Sequence, residues 1–196
     1  MIVVRNARVA EAAAITTLVN QYADQGLMLP KSLMQVYEHI REFVVALDES
    51  HRVIACGALR IMGVDLAEVR SLATAQEAQG RGVGRVVVQA LLENARELGL
   101  GRVFALTYQV RFFEKLGFST VPKTVFPEKV WVDCKDCAKR FHCDEIAMIL
   151  YVQTAASTQP DTERSQPQPL PARVRPAGEP SPGNEAQDPT MRTVDA

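Results

Sequence analysis

Neither sign of charge dominates this chain of 196 residues: 22 Lys and Arg stand against 23 Asp and Glu, a net charge of −1. A basic field that would draw nucleic acid or an anionic membrane is therefore not expected. Long hydrophobic runs are missing as well. No apolar stretch reaches the roughly 18 residues of a membrane helix, and Met1-Ile2-Val3-Val4-Arg5 enters a strand with no charged region, apolar core and cleavage site before it. A soluble, cytoplasmic protein is the expectation. Cysteines are few, four in all, and in that compartment reduced, structural thiols are expected.

Apolar side chains also run out toward the carboxyl end. From Gln153 on, the chain holds eight of its eleven prolines and almost no aromatic or large aliphatic residues, too little to offset the entropy of ordering it. Residues 153–196 are expected to form a disordered Pro-rich tail, or alternatively a partner-binding segment. Residues 1–152 are expected to form one domain around one core.

Within that domain the apolar periodicity alternates between two and 3.6 residues. After the first strand, Val9, Ala13, Ile15, Leu18, Val19 and Tyr22 recur at helical spacing up to Gly26. Ser32-Leu33-Met34-Gln35 has the Ser-x-x-Gln form of a capping box and opens a second short helix. Phe43 to Leu47, Val53 to Met62 and Leu66 to Ala73 follow as antiparallel strands. The longest helix pattern, Val83 to Leu98, stops at Gly99, and a strand from Arg102 to Leu106 comes next. Pro122 to Asp144 is too long and too rich in Cys, Lys and Asp for a simple connection.

Between the third strand pattern and the long helix lies Gln79-Gly80-Arg81-Gly82-Val83-Gly84. Glycines at a helix start let an anion approach the main chain, where unpaired N–H groups and the positive end of the helix dipole meet it. Two phosphate-binding classes are excluded by what is absent. The dinucleotide fingerprint needs a third glycine where Val87 stands, and no Lys-Ser or Lys-Thr pair follows to hold a terminal phosphate and its magnesium. An ordinary tight turn is the remaining alternative.

The order of strand, Gln-x-x-Gly-x-Gly, helix, strand and Arg111-Phe112-Phe113-Glu114-Lys115-Leu116-Gly117-Phe118 resembles the GCN5-related N-acetyltransferases (GNAT) over residues 2 to 152. The resemblance implies an α/β fold with a mixed, mostly antiparallel sheet of six or seven strands flanked by helices, and acetyl-CoA as co-substrate. It implies that the strand carrying Leu72, Ala73 and Thr74 splays from its neighbour, so that their backbone groups bond the pantetheine arm. It further implies that Gln79, Gly80, Arg81, Gly82, Val83 and Gly84 hold the pyrophosphate. In this family the second aromatic of the Phe-Tyr-Glu-Lys pattern commonly protonates the departing thiolate. Phe113 stands there and has no proton to give, which leaves Tyr108, Ser71 or water.

Acetyl transfer to an amine also needs a base. Glu68, on the strand before the loop, is the candidate, either directly or through a water. Alternation puts Glu68, Arg70 and Leu72 on one strand face and Val69, Ser71 and Ala73 on the other, so a Glu68–Arg70 ion pair is the structural alternative.

Leu29-Pro30-Lys31-Ser32-Leu33, Asp65 to Leu72, and Lys129 to Cys137 followed by Cys143-Asp144-Glu145 look like the short bacterial N-acetylglutamate synthases. That resemblance implies transfer to the α-amine of glutamate in arginine biosynthesis, with Arg70, Lys31 and Lys129 as candidates for the substrate carboxylates. Another amine acceptor, or a non-catalytic acetyl-CoA or metal sensor, stays open. So does a homodimer. Cys134, Cys137, His142 and Cys143 have donor types that suit zinc, but adjacent His142 and Cys143 bend poorly onto one ion, and no metal is expected.

Overall fold

The computed structural model describes residues 1–126 and 142–153, all within the compact unit Met1–Pro160. Past Gln153 the expected tail lies outside the described residues. Among the described residues seven strands make one sheet: β1 (Val3–Asn6), β2 (Phe43–Leu47), β3 (Val53–Gly63), β4 (Leu66–Thr74), β5 (Arg102–Thr107), β6 (Ser119–Val121) and β7 (Ile146–Tyr151). Their order is β1-β2-β3-β4-β5-β7-β6. Only β4 and β5 pair in parallel, because the long helix between them carries the chain back to the same end of the sheet. This is the mixed, mostly antiparallel sheet flanked by helices that the resemblance implied.

One face of the sheet packs on α3 (Val83–Glu97). Its stripe of Val83, Val87, Val88, Leu91, Leu92 and Ala95 is buried against Leu59, Val69, Val103 and their neighbours, each Val or Leu contributing about 1.5–3 kcal/mol over exposure. At Gly57 on β3 the helix comes so close that a Cβ would lie 3.1 Å from both Leu91 Cδ1 and Val87 Cγ1. The helix ends as its sequence indicates, with Gly99 at φ +73 and the Leu100 N–H donating to the Ala95 carbonyl at 2.9 Å. A short α4 (Val110–Glu114) adds Phe113, whose ring meets Phe112 and Phe118 edge-on with centroids 5.1 Å apart in each pair.

The other face carries α1 (Ala12–Ala23) and α2 (Leu33–Glu38). The capping box forms: Gln35 N–H donates to Ser32 Oγ at 3.1 Å, and Ser32 N–H to Gln35 Oε1 at 2.8 Å. The helix ends at Glu38, and Ile40 falls in a separate 3₁₀ turn, Ile40–Glu42. Ile15, Leu18, Val19 and Val36 pack here on Phe43, Val45, Cys56, Ala58 and Ala73. A separate cluster forms farther across the same sheet around Leu66, Phe104 and Phe126, whose two rings stack 4.1 Å apart.

The strict two-residue alternation expected along β4 fails at Ser71. Cys56 pairs with Ala73 while Ala58 pairs with Arg70, so β4 carries one residue more than β3 here, and Ser71 takes φ +52. A β-bulge of this kind reverses the side chains beyond it. Leu72 therefore turns to the α3 face, within reach of Gly57, and Ala73 joins the α1 face. Glu68 and Arg70 do share a face, as expected, but Leu72 is not with them.

Candidate active site

The β4–β5 ladder pairs Leu66 with Arg102, Ala67 with Val103 and Glu68 with Phe104, and then stops. β4 continues to Thr74 and β5 to Thr107, so beyond Glu68 the two strands run on without bonding each other. Successive residues turn their N–H and C=O to opposite sides of a strand. Since Ala75 N–H donates to the Ile54 carbonyl at 2.8 Å, on the β3 side, Thr74 and Leu72 face the β5 side, while Ala73 faces β3. Of the three residues whose backbone was expected to meet a pantetheine arm, the strand thus presents Leu72 and Thr74 to the opening.

At the end of that opening stands the glycine loop. Gly80 and Gly82 have φ of +71 and +78, and nothing lies within 4 Å of a Cβ built on either. A left-handed conformation costs an L-residue about 1–2 kcal/mol, which glycine avoids. Gly82 is the N-cap of α3, and no side chain caps it. The Val86 N–H reaches the Gly82 carbonyl at 3.2 Å, whereas the N–H groups of Val83, Gly84 and Arg85 precede any intrahelical acceptor. Arg81 is exposed, and Val83 buries its side chain in the α3 core. A Cβ on Gly84 would sit 3.3 Å from Thr74 Oγ1 and 3.7 Å from Phe112, so helix start, strand end and α4 converge at one point. Open space above two glycines and free N–H groups at a helix start suit a pyrophosphate. Beside α3, a groove of about 540 Å³ adds Arg85, Gln89, Arg96 and Lys115 to its lining.

On the opposite face a polar strip separates the two apolar clusters. Glu68, 3% exposed, lies directly across from Arg60 on β3, and Arg70 follows two residues along the same face. A carboxylate is thus buried on a sheet face that also carries two guanidinium-bearing positions. Arg60 was not singled out from the sequence, because only the β3–β4 register puts it opposite Glu68. Lys31 lies just before α2, half-buried, with its main chain clamped by Asn20: Lys31 N–H donates to Asn20 Oδ1, and Asn20 Nδ2 to the Lys31 carbonyl, each at 2.9 Å.

The two candidates for the thiolate proton are placed differently. The Tyr108 hydroxyl, just past β5, donates to Asp144 Oδ1 at 2.7 Å. Ser71 forms the bulge itself, and its carbonyl accepts from the buried Cys56 thiol at 3.7 Å. Burial pushes the Cys56 thiol up to about 12, against an Ala73 backbone hydrogen bond that favours the thiolate. Phe113 is buried in the α3 core. Tyr22, which the sequence offered only as a helix residue, donates from its hydroxyl to the Thr74 carbonyl and accepts from Gln79 Nε2 at 2.7 Å.

Lys129, Cys134 and Cys137 lie outside the described residues. Cys143 Sγ is 3.7 Å from Glu145 Oε2, and its carbonyl accepts from Lys123 Nζ at 2.6 Å. Among the described residues no group of three or more His, Cys, Asp or Glu is gathered to hold a metal ion, and no helix is long and apolar enough to cross a membrane.

The acetyltransferase (GNAT) family matches residues 14–118, and this chain belongs to it. A Chlorobaculum tepidum protein named as an uncharacterized N-acetyltransferase is 44% identical over 146 residues, covering 74% of this chain and 94% of the relative. An amino-acid acetyltransferase of Mycobacterium tuberculosis is 40% identical over 131 residues, covering 66% of this chain and 75% of the relative. The N-acetylglutamate synthase of Neisseria gonorrhoeae, crystallised with coenzyme A and N-acetyl-glutamate, shares the fold at a TM-score of 0.70 and 24% identity, over 78% of this chain and 35% of that one.

Proposed function

We propose that the protein moves the acetyl group of acetyl-CoA to the α-amine of an amino acid, and that the acceptor is glutamate, the first step of arginine biosynthesis. The observation that carries this reading is the buried Glu68 on a strip with Arg60 and Arg70, beside the opening between β4 and β5. Its support outside the chain is the name of the Mycobacterium relative and the ligands of the Neisseria enzyme.

In this reading acetyl-CoA enters the opening with its pyrophosphate on the Gln79–Gly84 loop and its pantetheine arm along Leu72 and Thr74. Arg85 and Lys115 offer positive charge to the phosphates of the nucleotide end. Glu68, or a water it holds, takes a proton from the substrate ammonium. The freed amine attacks the thioester carbon, a main-chain N–H of β4 stabilises the oxyanion, and the C–S bond breaks as the amide forms. The nitrogen gives up its second proton to solvent water as the amide forms, and the thiolate leaves with a proton from Tyr108 or from water. No acyl-enzyme is needed, and Cys56, buried with its thiol held protonated, is not a nucleophile for one. A glutamate acceptor brings two carboxylates, and Lys31, Arg60 and Arg70 are the cations that answer them.

The test is release of free thiol from acetyl-CoA with a panel of amino acids and simple amines. Glutamate is expected to give the highest kcat/KM. A better substrate outside the acidic amino acids and their amides would move the acceptor and leave acetyl transfer standing. Acetyl-CoA binding without thiol release to any amine would favour a sensor instead.

A further inference from the structure

We propose that Tyr22 is a positioning residue that ties the acetyl-CoA opening to the acceptor-binding segment, so that the two sites are set by a single turn of α1. The inference rests on the acetyl-transfer reading above and assigns a role to a residue outside the glycine loop and the charged strip.

The last turn of α1 reaches in two directions. Toward the cofactor, the Tyr22 hydroxyl donates to the Thr74 carbonyl, the last residue of β4, and accepts from Gln79 Nε2 at 2.7 Å, the first residue of the loop. These groups lie at the two ends of the segment that turns from the strand into the glycines. One hydroxyl that uses both its donor and an acceptor site therefore fixes the spacing of strand end and loop start. Toward the acceptor, the Tyr22 carbonyl accepts from the Gln25 and Leu27 N–H groups at 3.2 and 3.1 Å, closing the helix into the chain that leads to Lys31. Two residues earlier, Asn20 clamps the Lys31 main chain from both sides at 2.9 Å. The Tyr22 ring packs against the apolar cluster beneath α1, so the turn is held to the sheet and not only to the loop.

The consequence is directional. A Tyr22→Phe variant keeps the packed ring and loses both hydroxyl bonds, freeing the strand end and the loop to drift relative to α1. A Gln79→Ala variant loses one of the two bonds and leaves α1 tied to Thr74. Tyr22→Phe is expected to raise the KM for acetyl-CoA by about five- to thirtyfold, the scale of one to two hydrogen bonds, with a smaller change in kcat. It is also expected to raise the KM for the amino-acid acceptor, whereas Gln79→Ala raises that for acetyl-CoA alone.

The experiment is calorimetric titration of the full chain with acetyl-CoA, for the parent, each single variant and the double variant, together with steady-state KM values for both substrates. The expected result is a non-additive cycle, the double variant binding little worse than Tyr22→Phe, because both changes remove the same bridge. Additive losses, or parent-like binding by Tyr22→Phe, would overturn the role of Tyr22 while leaving acetyl transfer intact. A melting temperature lowered by several degrees with parent-like KM values would show that the tyrosine serves the fold only. A parent protein that binds no acetyl-CoA would overturn the acetyl-transfer reading itself.

Discussion

On one side of the sheet, α3 lays Val83, Val87, Leu91 and Ala95 on an unbroken apolar surface. On the other, Arg60, Glu68 and Arg70 separate the Ile15–Val45 cluster from the Phe104–Phe126 stack. The first face is built for stability and lends the site only its edge, the start of α3. In the proposed reading main-chain groups hold the cofactor there, at glycines that leave the backbone open. The second face gives up apolar contact in its middle, where a buried carboxylate and two guanidinium-bearing positions stand, and in the same reading side chains from separate strands serve the acceptor. A cofactor that many related proteins share can be held by backbone; an acceptor that differs between them has to be chosen by side chains.

The comparison breaks most visibly at the loop. Gly82→Val is expected to abolish acetyl-CoA binding by calorimetry. A branched side chain at φ +78 is strained, and its methyl groups would fill the space now open above the loop. Retained binding would mean that the loop is only a turn and that the first face contributes no ligand contact.

Next in size is Glu68→Gln. It should leave acetyl-CoA affinity near the parent value and lower turnover at neutral pH by about 10²- to 10⁴-fold, the range of a general base. Equal loss of cofactor affinity would erase the division of labour between the two faces. A smaller effect is expected of Arg60→Ala and Arg70→Lys, measured by steady-state kinetics: each should raise the acceptor KM by about tenfold or more while moving that of acetyl-CoA little, since lysine cannot reproduce a bidentate guanidinium. Changes confined to melting temperature would assign both arginines to the fold.

The mildest test is chemical. With its thiol pushed up to about 12 by burial, Cys56 is protonated at pH 8 and should resist alkylation in the native protein, as read by peptide mapping. The raised value also fixes a sign: the unfolded chain gives up this proton near pH 8.5, the native one only near 12, so this thiol's contribution to stability is lost as pH rises between them.

Much of the first face was legible because its signals are local. The 3.6-residue stripe of α3, the glycine that ends it and the glycine loop each rest on residues a few positions apart, where neighbours decide backbone angles, as does the Ser32–Gln35 box of α2 on the other face. The second face was only half legible. Glu68 and Arg70 could be paired by alternation, but Leu72 could not, because one extra residue at Ser71 reverses the pattern and nothing in Arg70-Ser71-Leu72 announces a bulge. Arg60 reaches Glu68 through strand register, and Tyr22 reaches Thr74 and Gln79 across more than 50 residues.

The sequence by itself determined the strands and helices as far as β5, together with where α3 begins and ends, since these follow from local conformational preference and apolar period, but it did not mark out β6 or β7. Only the tertiary structure decided where β4 leaves β5, which of Leu72, Ala73 and Thr74 face the opening, and which cation stands across from Glu68. Those outcomes depend on the pairing of strands distant in sequence, where a single inserted residue redirects every side chain that follows it.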